Sequence, residues 1–161
     1  SGGGTFSYLN DPEKTRQALN EQGWFTYGDI GHVDADGYLF LSDRRADLIL
    51  SGGVNLYPQE IENALARHPD VQELAVVGVP HPDFGEVPLA AVVLRPGAEP
   101  SQATARAIAG QAAGVLARLK LPQRMVFVES LPRLETGKLL RRKLKEQYRD
   151  APQAGFALRD S

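Results

Sequence analysis

Apolar positions along this chain fall into blocks whose spacing alternates between the period of a helix and that of a strand. Asp11-Pro12-Glu13 supplies an N-cap acceptor, a proline for the first helical position and an acid for the first turn. A short helix is therefore predicted from there to about Asn20, ended by Gly23. Residues 30–41 read as two β-rich arms around Asp36-Gly37, a strong hairpin signal. Strand-like residues 47–51 meet Gly52-Gly53, and the run resumes over 54–57. Pro58 then opens a helix whose Ile61, Ala64 and Leu65 share one face, and His68-Pro69 stops it.

Two valine-rich runs follow, 74–79 and 87–94, each bounded by proline or glycine as buried strands are. Residues 101–119 have helical spacing and many alanines, 124–128 form a short strand, and 139–148 form a last, basic helix. From Asp47 onward the order is strand, helix, strand, strand, helix, strand, helix. The expected class is α+β: a small sheet of about three strands with helices packed on it, preceded by a β-hairpin. Ser1-Gly2-Gly3-Gly4 has almost no side chain to pack and reads as a linker or the cut end of something larger, and 151–161 reads as a flexible tail.

Composition narrows the classes. The 161 residues carry 18 Lys+Arg against 20 Asp+Glu, a formal charge of −2, which argues against binding nucleic acid or an anionic membrane through bulk charge. Apolar residues make up 42% and charged ones 24%, as in an average globular domain able to bury a core. The sequence has neither a run long enough to span a membrane nor a signal-peptide pattern. Zero cysteines remove disulfide scaffolds and thiol nucleophiles. The expectation is a soluble, cytoplasmic protein.

Candidate chemistry is sparse. Asp34-Ala35-Asp36-Gly37 suggests a calcium loop, but the twelfth position holds Arg45 where a closing glutamate is needed, so the stretch reads as a hairpin turn. His32, His68 and His81 lack ligand spacing, and no metal site is expected. A nucleophile-elbow Gly-x-Ser-x-Gly is absent. Lys138, Arg141, Arg142, Lys143, Lys145 and Arg149, set against Glu146 and Asp150, read as a solvated helix with its cations toward the C-terminus. Gly52-Gly53 and Gly137-Lys138 are each either an ordinary turn or a place where backbone amides and a lysine hold an anion; neither is a Walker loop.

Four stretches, taken together and in order, resemble the adenylate-forming superfamily: the acyl- and aryl-CoA synthetases, the luciferases and the adenylation domains of peptide synthetases. The first is Trp24-Phe25-Thr26-Tyr27-Gly28-Asp29. The second runs from Ser42-Asp43-Arg44-Arg45-Ala46-Asp47 through Ser51-Gly52-Gly53-Val54-Asn55-Leu56-Tyr57-Pro58 to Glu60-Ile61-Glu62. The third is Val79-Pro80-His81-Pro82-Asp83-Phe84-Gly85-Glu86, and the last is Leu131-Pro132-Arg133-Leu134-Glu135-Thr136-Gly137-Lys138. The resemblance covers residues 5–149.

That resemblance implies a reaction in two halves. A carboxylate attacks the α-phosphate of ATP to give an acyl-adenylate and pyrophosphate, a thiol then displaces AMP, and a small C-terminal lid rotates in between. By resemblance, Asp29 accepts hydrogen bonds from both ribose hydroxyls, Leu41 lies near the nucleotide, and Arg44 contacts ribose or phosphate. Lys138 matches the lid lysine that reaches the α-phosphate and the carboxylate during adenylation. Gly52 and Gly53 match the turn beside the pantetheine arm of CoA, where a side chain would obstruct the thiol. The pivot normally lies two residues after the arginine as Asp or Lys; here that position is Ala46, with Asp47 next, so the hinge is expected at one of these two.

The Ser-Gly-Gly-Val-Asn-Leu-Tyr-Pro form of the glycine turn looks most like CoA ligases of fatty and related organic acids. The implied substrates are ATP with Mg2+, CoA and a carboxylic acid. The implied partner is a large N-terminal domain, of which residues 1–45 are the end, followed by a lid over 46–150. Two other readings stand beside this one: the lid of a peptide-synthetase-type or carrier-protein-loading ligase, and a non-catalytic α+β interaction domain.

Overall fold

A computed structural model describes residues 7–26 and 28–158, apart from the side chains of residues 42–45. The chain divides into two compact units, Ser1–Ala46 and Asp47–Ser161. Among the described residues no helix is long and apolar enough to cross a membrane.

The first unit contains helix α1 (Pro12–Ala18) and a hairpin of β1 (Asp29–Val33) and β2 (Leu39–Arg44). The Asp11 side chain accepts from the Lys14 amide at 2.9 Å and Pro12 sits in the first turn, as the sequence predicts. The helix stops before Asn20 because Leu19 turns extended and bridges to Phe25. At the hairpin tip Asp34 Oδ1 accepts from the amides of Asp36, at 3.0 Å, and Tyr38, at 2.9 Å. Its carboxylate closes a turn, and the calcium-loop pattern is turn chemistry.

The second unit is built on a sheet of β3 (Ile49–Ser51), β4 (Val54–Leu56), β5 (Val71–His81), β6 (Gly85–Leu94), β7 (Arg124–Phe127) and β8 (Phe156–Ala157). Its helices are α2 (Pro58–Leu65), α3 (Gln102–Ala113) and α4 (Arg141–Arg149). The hub is β6, antiparallel to β5 along its whole length, parallel to β7, and joined to β3 where Ser51 faces Gly85. Helices cover both faces, which explains why β5 and β6 read as continuous apolar runs instead of alternating ones. On one face Val76, Ala90 and Val92 pack with Ile61 and Leu65 of α2 and Ile108 of α3. On the other, Val77, Leu89 and Ala91 pack with Leu144 and Tyr148 of α4.

Four expectations are corrected. The sheet has six strands, not about three, because β3, β4 and β8 are two or three residues long and owe their existence to pairing partners. Residues 156–157, expected in a flexible tail, form β8 against β7, and the Phe156 ring packs tilted against Phe127 with centroids 5.5 Å apart. Helix α3 ends at Ala113, six residues early, with Gly114 at its C-cap and a separate 3-10 turn at Arg118–Lys120. Helix α4 starts at Arg141 because residues 139 and 140 are held as the return arm of a loop: Leu139 bridges Arg133, and the Leu140 amide donates to the Pro132 carbonyl at 2.8 Å.

Candidate functional site

The hairpin of the first unit brings together the three positions expected at a nucleotide. Asp29 opens β1 and pairs in register with Arg44, while Leu41 pairs with Gly31. The register slips between Ile30 and Gly31, leaving Ser42 as an extra residue in β2. That bulge lets positions 41 and 44, three apart, sit opposite positions 31 and 29, two apart. Asp29 and Leu41 are exposed, and the side chain of Arg44 lies outside the described residues.

Ala46 and Asp47 lie in a 3-10 turn, Arg45–Asp47, where the two units divide. Their surroundings differ. The Asp47 carboxylate lies 3.7 Å from Nε of Arg141, within the second unit. The Ala46 methyl group is exposed.

Gly52 and Gly53 are the two-residue loop of the β3–β4 hairpin, closed by the Ser51–Val54 pair. Both have positive φ, +56° and +80°, which defines a turn that two glycines adopt without strain. A Cβ on Gly52 would press on the Phe84 ring at 3.3 Å, whereas one on Gly53 would meet nothing within 4 Å. Around the turn Leu50, Val54 and Phe84 are exposed, a small apolar rim. The Gly52 amide donates to the Phe84 carbonyl at 2.8 Å, which fixes the turn at the His81–Gly85 end of the β5–β6 hairpin.

Lys138 sits on a second tight turn. The Gly137 amide donates to the Leu134 carbonyl at 2.8 Å, and the Leu134 amide to the Lys138 carbonyl at 2.9 Å. Gly137 has φ +84°, so the glycine before the lysine supplies a fixed left-handed bend rather than looseness. The Lys138 side chain is exposed, and among the described residues no carboxylate pairs with its ammonium group. Arg133 ties this turn to β5 through Glu73. The two turns therefore hang from opposite ends of one strand: from Glu73 to His81 is eight steps, about 26 Å at roughly 3.3 Å per residue.

The basic helix is not simply solvated. Arg142 is exposed and meets Glu146 at 3.4 Å. Arg141, at the helix start, is largely buried: Nη1 and Nη2 reach the two carboxylate oxygens of Glu62, the second at 3.0 Å, and Glu62 Oε1 also accepts from the Val76 amide at 2.7 Å. Lys145, one turn on, meets Glu86 Oε1 at 2.6 Å. Sequence reasoning missed these partners. The available signal was a cation in a helical first turn, where the dipole disfavours it, with no acid nearby.

An α+β unit with helices on both sheet faces, a glycine hairpin turn at one end and an exposed lysine turn at the other is the C-terminal lid of an adenylate-forming enzyme. Residues 60–138 match the AMP-binding enzyme C-terminal domain, and the chain belongs to that superfamily. It is 50% identical over 141 residues to a 2-succinylbenzoate–CoA ligase of Geobacillus kaustophilus, an alignment covering 88% of this chain and 28% of that enzyme. It is 45% identical over 141 residues to the long-chain-fatty-acid–CoA ligase FadD13 of Mycobacterium tuberculosis, covering 88% and 27%. ATP-bound MatB from Rhodopseudomonas palustris matches its structure with a TM-score of 0.79 at 40% identity, over 88% of this chain and 27% of that one. The chain thus spans little more than a quarter of the length of these relatives.

Proposed function

We propose that the chain is the C-terminal part of an ATP-dependent acid–CoA ligase, which activates a carboxylate as acyl-AMP and passes the acyl group to the thiol of CoA. In this reading residues 1–45 close a large domain that holds ATP, its Mg2+ and the acid, and residues 46–150 are the lid. Exposed Trp24, Leu39 and Leu41 in the first unit support such a covering domain. The relatives' identity as CoA ligases supports CoA as the thiol. The reading places the enzyme in the cytoplasm, where ATP and CoA are used.

The observation that carries the proposal is the separation of the Lys138 and Gly52-Gly53 turns along β5. One lid orientation offers one end of the strand to the reacting acyl group, so a lid built this way suits two successive steps with a rotation between them. In the first step Lys138 brings an unpaired cation to the charge growing between carboxylate and α-phosphate. Asp29 accepts from the ribose hydroxyls, with Leu41 and Arg44 beside the nucleotide. In the second step the Gly52-Gly53 turn lines the path of the pantetheine arm. In this reading the pivot is Ala46, a choice supported by the ion pair that ties Asp47 to Arg141.

The test is Lys138→Ala in the full-length enzyme. Acyl-adenylate formation should slow by about 10²- to 10³-fold, roughly 2.7–4 kcal/mol, while transfer from supplied acyl-AMP to CoA stays nearly unchanged. Adenylation at the wild-type rate would refute the assignment. The 161-residue chain alone should perform neither half-reaction.

A further inference from the structure

We infer that Arg133 is a positioning residue for Lys138, acting through the backbone of the turn that carries it. The inference rests on the proposed role of Lys138. Arg133 Nη1 donates to the Gly137 carbonyl at 2.8 Å, the peptide group immediately before Lys138. Its Nη2 donates to Glu73 Oε2 in β5. One planar guanidinium thus spans from the edge of the sheet to the bend of the turn, a geometry that a lysine cannot reproduce.

The rest of the turn shows why a brace is needed. Its own hydrogen bonds run within residues 132–140, from Leu134, Gly137 and Leu140 to neighbouring carbonyls. They define its shape without fixing its direction against the sheet. Arg133 and Glu73 are partly exposed, so the ion pair contributes little to overall stability. What it sets is the direction from which the ammonium group leaves the backbone. A misplacement of about 1 Å in a reacting group can cost 10²-fold in rate.

The experiment compares Arg133→Ala, Arg133→Lys and Lys138→Ala, singly and as Arg133→Ala with Lys138→Ala, in the full-length enzyme with both half-reactions measured. Arg133→Ala should slow adenylation by about 10- to 100-fold and leave thioester formation from supplied acyl-AMP within about 2-fold. Arg133→Lys should fall nearly as far, because the charge is kept and the fork is lost. Added to Lys138→Ala, the Arg133→Ala change should cost almost nothing further, since nothing is left to position. Hydrogen exchange at the Leu134 and Gly137 amides should quicken in Arg133→Ala. Equal loss in both half-reactions, or an undiminished loss in the Lys138→Ala background, would make Arg133 a structural residue and overturn the inference. An effect of Lys138→Ala without one of Arg133→Ala also overturns it. If Lys138→Ala itself has no effect, the underlying assignment of the lysine has failed, and this inference falls with it.

Discussion

Arg141, at the start of α4, grips both carboxylate oxygens of Glu62 in α2, 79 positions earlier in the chain, and reaches Asp47 beside the division between the two units. Two helices on opposite faces of the sheet are thereby pinned to each other. Removing the arginine leaves a buried carboxylate that still accepts from the Val76 amide but has lost its cation. Arg141→Ala should therefore cost about 3–5 kcal/mol in chemical denaturation of the 161-residue chain. The pair Arg141→Met with Glu62→Leu should recover part of that loss, short of wild type because the Val76 amide loses its acceptor. A cost below about 1 kcal/mol for Arg141→Ala would show the pair to be solvated.

The glycine turn allows strain and obstruction to be separated. Gly53 has φ +80° and open space where a Cβ would go, so Gly53→Leu in the full-length enzyme meets backbone strain as well as the proposed thiol path. Asparagine tolerates this backbone far better. Both Gly53→Asn and Gly53→Leu should keep adenylation largely intact and impair thioester formation, the leucine variant more. Wild-type thioester formation in the leucine variant would remove Gly53 from the thiol path.

Ala46→Pro in the full-length enzyme tests the pivot. Proline fixes φ near −65°, which fits the short 3-10 turn seen at Arg45–Asp47 and would hold that setting. One half-reaction should then fall much more than the other. Equal losses in both, or in neither, would move the pivot to Asp47 or beyond.

Tyr148 provides a pH dependence. Burial against the sheet raises its pKa above the ordinary 10.0, because the phenolate would lose its hydration. The folded state keeps a proton that the unfolded chain releases, so this stability is complete below about pH 10 and is lost as pH rises through the folded value. Alkaline titration of the chain's five tyrosines by tyrosinate absorbance should show one that ionises late, and Tyr148→Phe should remove it. A late-ionising tyrosine that persists in Tyr148→Phe would overturn the assignment to Tyr148.

The sequence by itself determined much of this molecule. Apolar runs around 74–79 and 87–94 specify strands covered on both faces, and paired glycines or Asp-Gly specify tight turns, because these are local consequences of side-chain burial and backbone freedom. Motif order identified the superfamily, and with it Asp29, Lys138 and the glycine turn as candidates. Tertiary structure decided the rest. Strands β4 and β8 exist only through their pairing partners, and α4 begins two residues late because Leu139 and Leu140 are hydrogen-bonded to the loop before it. Arg141 and Arg133 look like surface cations until Glu62 and Glu73 arrive from 79 and 60 positions away. No local pattern encodes such a pairing, since it is fixed only when the folded sheet brings distant carboxylates within reach of a guanidinium.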